Sequence, residues 1–317
     1  MASLNLWERL RVALRAHLQV RRDAVDALRS ATRVQQEALE ELRAIRTTLA
    51  TMHGDPRRTA YDRQIDSVIA ADGRYSDPRC LARYSASIYS QLGEDGIIAE
   101  IFARIGPKDR TFVEIGVEDG RENTTRFLLE MGWRGTWLEA SEEQAAKART
   151  LMRDRLDSGQ LTIVPAAVTA ENVNDLLDSA GVPASFDYLS IDIDQNTPYV
   201  WEALRRRSRV ACIEYNGHLP PTLPIRVRYD PTRYWDGSMW FGGSLKAMER
   251  IGGRKRMALV GCDMLGINAF FVTAEETAGR FREPFNAETH FQRPRFDILA
   301  PPRLMPDDAQ REWQVEE

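Results

Sequence analysis

The chain has 317 residues, 43% of them apolar and 28% charged, and a net charge of −4. This is ordinary globular composition, with length for one large domain and an appendage. The weak net charge argues against general attraction to nucleic acid, and no apolar segment is long enough to span a membrane. Arginines interrupt the first residues, so we expect no signal peptide. The scattered Cys80, Cys212 and Cys262 indicate reduced cytosolic thiols.

Residues 1–52 contain neither glycine nor proline. Leucine and valine recur at heptad positions a and d, which predicts a long, coiled-coil-like N-terminal helix. Trp7 beside several arginines is typical of a helix that lies on an anionic membrane surface. We expect this helix either to hold a homo-oligomer together or to bring a cytoplasmic protein into peripheral contact with the inner membrane.

The polar residues 53–85 predict a linker with at most one short helix, and the proline-rich residues 281–317 predict a surface-hugging tail. Residues 86–280 between them predict one α/β domain. It opens with SQLGEDGII, where Gln91 and Glu94 precede an apolar helix. The polar residues here either cap that helix or fold over a ligand site, with Gln91 and Glu94 facing an ammonium group.

The stretch 111–141 predicts strand, glycine turn, helix, strand and carboxylate, the first half of a nucleotide-binding unit. Its turn, Gly116 to Gly120, lacks the G-x-G-x-x-G spacing, and its acids would repel a pyrophosphate. Glu139, which follows Glu114 by 25 residues, suits a ribose diol. We therefore expect S-adenosylmethionine as the cofactor. The candidate cofactor-binding residues are Gln91, Glu94, Glu114, Gly116, Gly120, Asn123, Thr124, Glu139, Ala140 and Asp192.

Strand and helix patterns alternate through the following residues, which predicts a mostly parallel sheet with helices on both faces. We expect one helix over 142–158 and another that runs through the arginines at 205–209. Two apolar runs, 257–261 and 268–272, predict an antiparallel pair that completes the sheet.

Acids end two neighbouring strands, where parallel α/β sheets bind ligands. Oxygen ligands in this pattern suit Mg²⁺, Mn²⁺ or Ca²⁺, which would lower the pKa of an acceptor hydroxyl. The alternatives are that Asp194 caps a helix, Glu214 pairs with an arginine and His218 is an ordinary loop residue. The candidate metal ligands are Asp192, Asp194, Glu214 and Asn216. The candidate catalytic residues are Asp192, Asp194 and His218.

Aromatic residues crowd the stretch 215–245, between prolines and glycines. A long stretch without regular structure inside a compact domain is usually functional. These side chains either stack on sugar rings or pack over the sheet.

The segments SQLGEDGII, FVEIGVEDGRENTTRFL, GWRGTWLEA and SIDID together resemble the FkbM-like branch of class I S-adenosylmethionine-dependent methyltransferases, over residues 88–275. The resemblance implies a Rossmann-like fold, with Glu114, Gly116 and Gly120 at the methionine end of the cofactor, Glu139 at the ribose and Asp192 at the fourth strand. Many relatives have Asp-x-Glu-Gly there, so the role of Asp194 stays open. In this respect the chain is more similar to sugar O-methyltransferases that use a metal held by acids on two strand ends.

The later segments EYNGHLPP and YDPTRYWDGSMWFGGSL are similar to proteins found with bacterial surface-polysaccharide genes, which implies a glycan acceptor. The sequence thus predicts an S-adenosylmethionine-dependent O-methyltransferase that acts on a sugar hydroxyl of a bacterial polysaccharide, O-antigen or glycolipid, with or without a metal. Two alternatives remain, an enzyme that binds NAD or a nucleotide sugar, and a non-catalytic coiled-coil scaffold with a relic methyltransferase fold.

Overall fold

The computed structural model describes residues 56–295 and 313–315. The N-terminal helix predicted over 1–52, with the oligomer and membrane contacts expected of it, lies outside these residues, as does most of the tail beyond 295. Within the part that is described, no helix has both the length and the apolar character that a membrane span requires.

Seven of the described strands form one sheet, in the order β3-β2-β1-β4-β5-β8-β7. The strands are β1 (Thr111–Ile115), β2 (Arg134–Glu139), β3 (Leu161–Pro165), β4 (Ser185–Ile191), β5 (Arg207–Glu214), β6 (Ile225–Val227), β7 (Met257–Cys262), β8 (Asn268–Thr273) and β9 (Trp313–Val315). Strands β1 to β5 run parallel, and β8 lies antiparallel to both of its neighbours. Strands β6 and β9 form a separate antiparallel pair. The predicted Rossmann-like sheet and its antiparallel end are confirmed.

Helices cover both faces of the sheet, as the short, doubly apolar strands predict. The helices are α1 (Pro56–Ala71), α2 (Glu94–Ile105), α3 (Arg126–Glu130), α4 (Glu142–Leu151), α5 (Arg153–Asp157), α6 (Val173–Ser179), α7 (Thr197–Ala203), α8 (Leu245–Arg254) and α9 (Ala287–His290). Phe112 packs with apolar residues of α2, α3 and α4. The next residue, Val113, points the other way and packs with α6, α7 and α8. Each face therefore has its own apolar core.

Four segments differ from the sequence predictions. Residues 53–85 hold more structure than a linker, since α1 is followed by turns that bury Tyr75 and Leu81, each 1% exposed. The helix predicted over 142–158 is wrong as one element, because α4 and α5 are separated at Met152. The arginines at 205–209 do not extend a helix, since β5 begins at Arg207 and pairs with β4. Phe281, at the start of the predicted tail, is fully buried.

The register of the central strands decides where the site lies. The last residues of β1 and β4 lie opposite each other, and the last residue of β4 lies opposite Ile213 of β5. Gly116, Asp192 and Glu214 therefore follow side by side. Gly116 has a φ of 85°, and a Cβ built on it would lie 1.8 Å from the carbonyl oxygen of Asp192. Only glycine fits this close approach.

The amino edge of the sheet carries charges that are fully paired. Asp187 of β4 is completely buried and accepts three backbone N–H groups, from residues 108–110, at 2.8 Å each. Its other carboxylate oxygen accepts from Arg209 at 2.7 Å, and Arg209 also pairs with Glu276 at 2.6 Å. This network is structural, because each charge has a partner and a buried pair survives only when it is satisfied.

Candidate active site

Three acids meet at the carboxyl edge of the sheet. One carboxylate oxygen from each of Asp192, Asp194 and Glu214 lies within 4.8 Å of the others. Asp192 is accessible to solvent, Asp194 is half-buried and Glu214 is buried. Asp194 has a φ of 56°, in a short 3₁₀ turn that follows β4. The structure therefore brings together three of the four predicted metal ligands.

These carboxyl groups hold their protons at unusually high pH. Although part of Asp192 is exposed, the protein atoms around its carboxyl group desolvate it and raise its pKa to about 7, and the charge of Asp194 also raises it. Burial and the charge of Glu118 raise the pKa of Asp194 to about 6. Burial, followed by the charge of Asp192, raises the pKa of Glu214 well above its usual value. Asp192 and Glu214 hydrogen-bond to each other, so that a protonated Glu214 donates to the Asp192 carboxylate.

Among the described residues, Asp194 does not cap a helix and Glu214 does not pair with an arginine. Asn196, rather than Asp194, stands before α7, and it makes no side-chain cap. Glu214 accepts a hydrogen bond from the Thr197 hydroxyl at 3.2 Å. The charged groups that shift the pKa of this glutamate are the two aspartates. The cluster is therefore acidic throughout and would gain from a bound cation.

Glu139 ends β2 and is bound to the glycine turn. One of its oxygens accepts the backbone N–H groups of Val117 and Glu118 at 3.1 and 2.7 Å, and the other accepts that of Ser141 at 2.8 Å. A carboxylate has about four acceptor positions, so one is left for a ligand hydroxyl where the sequence predicts two. Ala140, beside it, is exposed.

Glu114 acts as an internal anchor below the turn. It accepts from the backbone N–H and the hydroxyl of both Thr124 and Thr125. Tyr188 and Trp137 donate to those two hydroxyls at 3.1 and 2.7 Å. These contacts take up the carboxylate, so contact of Glu114 or Thr124 with a ligand stays a prediction. The two adjacent threonines after the turn are the feature of the sequence from which this network could have been predicted.

Asn123 offers an unused acceptor next to the turn. Its side chain is 5% exposed, and its amide N–H donates to the Val117 carbonyl at 3.2 Å. Its side-chain oxygen Oδ1 is buried and has no hydrogen-bond partner. A buried acceptor without a donor is costly, and a ligand ammonium group would supply that donor. Gly120 closes the turn, with a φ of 78° and the Trp137 ring beneath it.

Gln91 and Glu94 lie in different surroundings. Gln91 is exposed, whereas Glu94 is 2% exposed and accepts from the Asn268 amide at 2.9 Å and the Leu92 N–H at 2.8 Å. Gly93, the residue before α2, provides no side-chain cap, but the Ser90 hydroxyl oxygen accepts the Asp95 N–H in the first turn at 3.1 Å, as the capping alternative predicts. The charge of Glu94 is one of the smaller causes that raise the pKa of Asp192, and contact of Gln91 or Glu94 with a ligand stays a prediction.

Asn216 makes contacts that hold the neighbouring chain, and metal ligation by its side-chain oxygen stays a prediction. Its amide donates to the Met239 and Phe241 carbonyls at 2.8 and 3.0 Å, and its oxygen accepts the His218 N–H at 3.1 Å. These contacts hold the chain at Met239 and Phe241 and at His218. His218 is half-buried, and burial lowers its pKa, which favours a neutral ring. His218 is not part of the cluster of Asp192, Asp194 and Glu214, and its catalytic role stays a prediction.

The aromatic stretch is anchored over the acids. Gln195 and Asn196, which the sequence did not single out, donate to the carbonyls of Trp240 and Asp230 at 2.9 Å each. Trp240 is 3% exposed and packs inward, whereas Tyr234 and Trp235 are 70% and 46% exposed. Inward packing therefore holds for Trp240, whereas stacking of the exposed rings on a sugar stays a prediction. The stretch also contains β6, so it is not free of regular structure.

The raised pKa values predict how stability depends on pH. Between about pH 4 and about pH 7, the folded chain keeps protons on Asp192 and Asp194 that the unfolded chain has released. The free energy of unfolding should therefore fall as pH rises through this window. In urea denaturation across these pH values, Asp192→Asn should weaken this pH dependence. Replacement of the exposed Glu122 by Gln should leave it unchanged. An equal slope in Asp192→Asn and wild type would contradict the raised pKa.

No protein-family model and no curated protein matches this sequence. Among solved structures, an O-methyltransferase from Bacillus cereus in complex with SAH (S-adenosylhomocysteine) is similar at 19% identity, over 74% of this chain and 99% of that chain, with a TM-score of 0.38. The N-terminal domain of EvdMO1, in the presence of SAH and D-fucose, is similar at 13% identity, over 69% and 96%, with a TM-score of 0.38.

The pyocyanin biosynthetic protein PhzM is similar at 16% identity, over 55% of this chain and 53% of that chain, with a TM-score of 0.34. The chain thus spans about half the length of PhzM. Because the three TM-scores are low, these similarities decide nothing about the activity of this chain.

Proposed function

We propose that the chain is an S-adenosylmethionine-dependent O-methyltransferase that acts on a sugar hydroxyl. The observation that carries this proposal is the acidic cluster that Asp192, Asp194 and Glu214 form at the carboxyl edge of the sheet, where Gly116 of the glycine turn stands beside Asp192. Their charge disfavours a pyrophosphate and favours a cationic ligand. S-adenosylmethionine carries an ammonium and a sulfonium, and it also has a ribose diol.

The residues around the turn fit this cofactor. The unpaired oxygen of Asn123 would accept from the ammonium group, and Glu139 keeps one acceptor position for a ribose hydroxyl. When bound, the cofactor supplies an electrophilic methyl group on its sulfonium. The chain's own contribution is to hold the acceptor hydroxyl in line with that methyl and to remove its proton.

Asp192 is the best placed group to take the hydroxyl proton. It is the solvent-accessible member of the cluster, and its pKa of about 7 lies near neutral pH, where a general base works best. The hydrogen bond from Glu214 keeps its carboxylate oriented. Three carboxylate oxygens also suit Mg²⁺ or Mn²⁺, and a bound ion would supply positive charge at the acceptor oxygen, with its other positions filled by water or substrate.

The exposed aromatic side chains support a sugar as the acceptor. Tyr234 and Trp235 present their rings to solvent on a loop that Gln195 and Asn196 hold over the acids. Aromatic rings combine apolar faces with polar tips and suit ligands that are partly apolar and partly wet. The choice of a bacterial glycan or glycolipid comes from the resemblance of the segments EYNGHLPP and YDPTRYWDGSMWFGGSL to proteins found with bacterial surface-polysaccharide genes. The homo-oligomer and the membrane contact are proposed from the sequence of residues 1–52 alone, and the cytoplasmic location from the three scattered cysteines and the arginines near the N-terminus.

Titration calorimetry tests the choice of cofactor. S-adenosylhomocysteine should bind at least about 100-fold more tightly than NAD⁺, because the acidic crevice repels a pyrophosphate. Glu139→Gln should weaken that binding, and Glu142→Gln, which alters an exposed neighbour, should not. Tighter binding of NAD⁺ or of a nucleotide sugar would favour the rival enzyme class. Binding of none of these ligands would favour the scaffold.

Methyl transfer tests the role of the acids. With S-adenosylmethionine and candidate glycans, methylated product is measured by mass spectrometry. Asp192→Ala should lower the rate by about 10²- to 10⁴-fold, the usual contribution of a general base, and the exposed Asp157→Ala should match wild type. EDTA should lower the rate if an ion assists. Full activity in EDTA would exclude the metal, and full activity of Asp192→Ala would exclude the base.

A further inference from the structure

Arg126 lies at the start of α3, directly beside the glycine turn. Its Nη1 donates to the carbonyl of Gly120 at 3.1 Å, and its guanidinium stacks 4.8 Å from the centre of the Tyr89 ring. Its Nε is buried and has no hydrogen-bond partner. The guanidinium is therefore fixed in place between the turn and Tyr89, with donor capacity still unused.

Arg126 also differs from the arginines around it in its charge pairing. Arg121 pairs with Asp119 at 3.1 Å, and Arg155 pairs with Glu130 at 2.6 Å, but Arg126 forms no ion pair with the residues that the structure describes. Burial lowers its pKa, while Tyr89 and Glu130 offset part of that shift. A half-buried cation without a counter-ion is costly, and an anion at this point would relieve the cost.

The segment that carries Tyr89 is itself held firmly. One carboxylate oxygen of Asp95, in α2, accepts the N–H groups of Ile88, Tyr89 and Ser90 at 2.7, 2.7 and 2.9 Å. The aromatic ring is thus a rigid support for the guanidinium and not a loose cover. A preorganised group loses less entropy when it binds a ligand.

We propose that Arg126 binds the carboxylate of the amino-acid part of the methyl donor. This inference rests on the proposed function. The donor carries an ammonium and a sulfonium, which suit the acids of the crevice, but it also carries a carboxylate, which those acids repel. Binding of this carboxylate beside the turn therefore requires a cation, and a guanidinium matches a carboxylate with two parallel hydrogen bonds.

The test compares two donors that differ only in this group, S-adenosylmethionine and its decarboxylated form. Calorimetry measures both affinities for wild type, Arg126→Gln and Arg126→Lys, with Arg121→Gln as the matched control. Wild type and control should prefer the carboxylate-bearing donor by about 10- to 100-fold. Arg126→Gln should lose this preference while its affinity for the decarboxylated donor stays unchanged, which also shows that the variant is folded. Arg126→Lys should retain part of the preference.

Two outcomes would overturn the inference alone. Arg126→Gln could keep the full preference, or it could lose affinity for both donors equally, which would give the arginine a purely structural role. Either result leaves the proposed function standing, because wild type still binds the donor. If wild type binds neither donor nor S-adenosylhomocysteine, the proposed function fails and the inference fails with it.

Discussion

The structure depends on three parallel strands that end at the same level of the sheet. Because β1, β4 and β5 finish at the same level, Gly116, Asp192 and Glu214 stand in a row, and the first of these must be glycine for Asp192 to approach. Carboxyl groups meet there, and the charged groups that act on them are other carboxylates. The fold tolerates this repulsion by retaining protons, and a cationic ligand relieves it.

The polar groups at the two edges of the sheet differ in how fully they are hydrogen-bonded and paired. At the amino edge, Asp187 accepts three backbone N–H groups and an arginine, so its charge is fully satisfied. At the carboxyl edge, the acids share protons, Asn123 has an unused oxygen and Arg126 has an unused Nε. Groups that are left unsatisfied at this edge have a natural partner in a ligand. The same edge is where α/β sheets bind their ligands.

The mostly parallel sheet, its antiparallel end and the meeting of Asp192 with Glu214 could be predicted from the sequence, because short apolar runs mark buried strands and strand ends share one edge. The bonds of Glu139 to the turn could not, since they involve backbone groups whose direction depends on positive φ angles. Nor could the use of Asn216, which depends on a loop more than 20 residues away in sequence. The buried Tyr75 was missed because its polar neighbours dominate the pattern of its segment.

A crystal structure with S-adenosylhomocysteine tests the central claim most directly, because it shows which end of a ligand meets the acids. We predict that the amino group of the ligand lies within hydrogen-bond distance of the Asn123 oxygen or of Asp192, with a ribose hydroxyl at Glu139. A ligand bound elsewhere, or one whose carboxylate faces Asp192 and Asp194, would contradict the account.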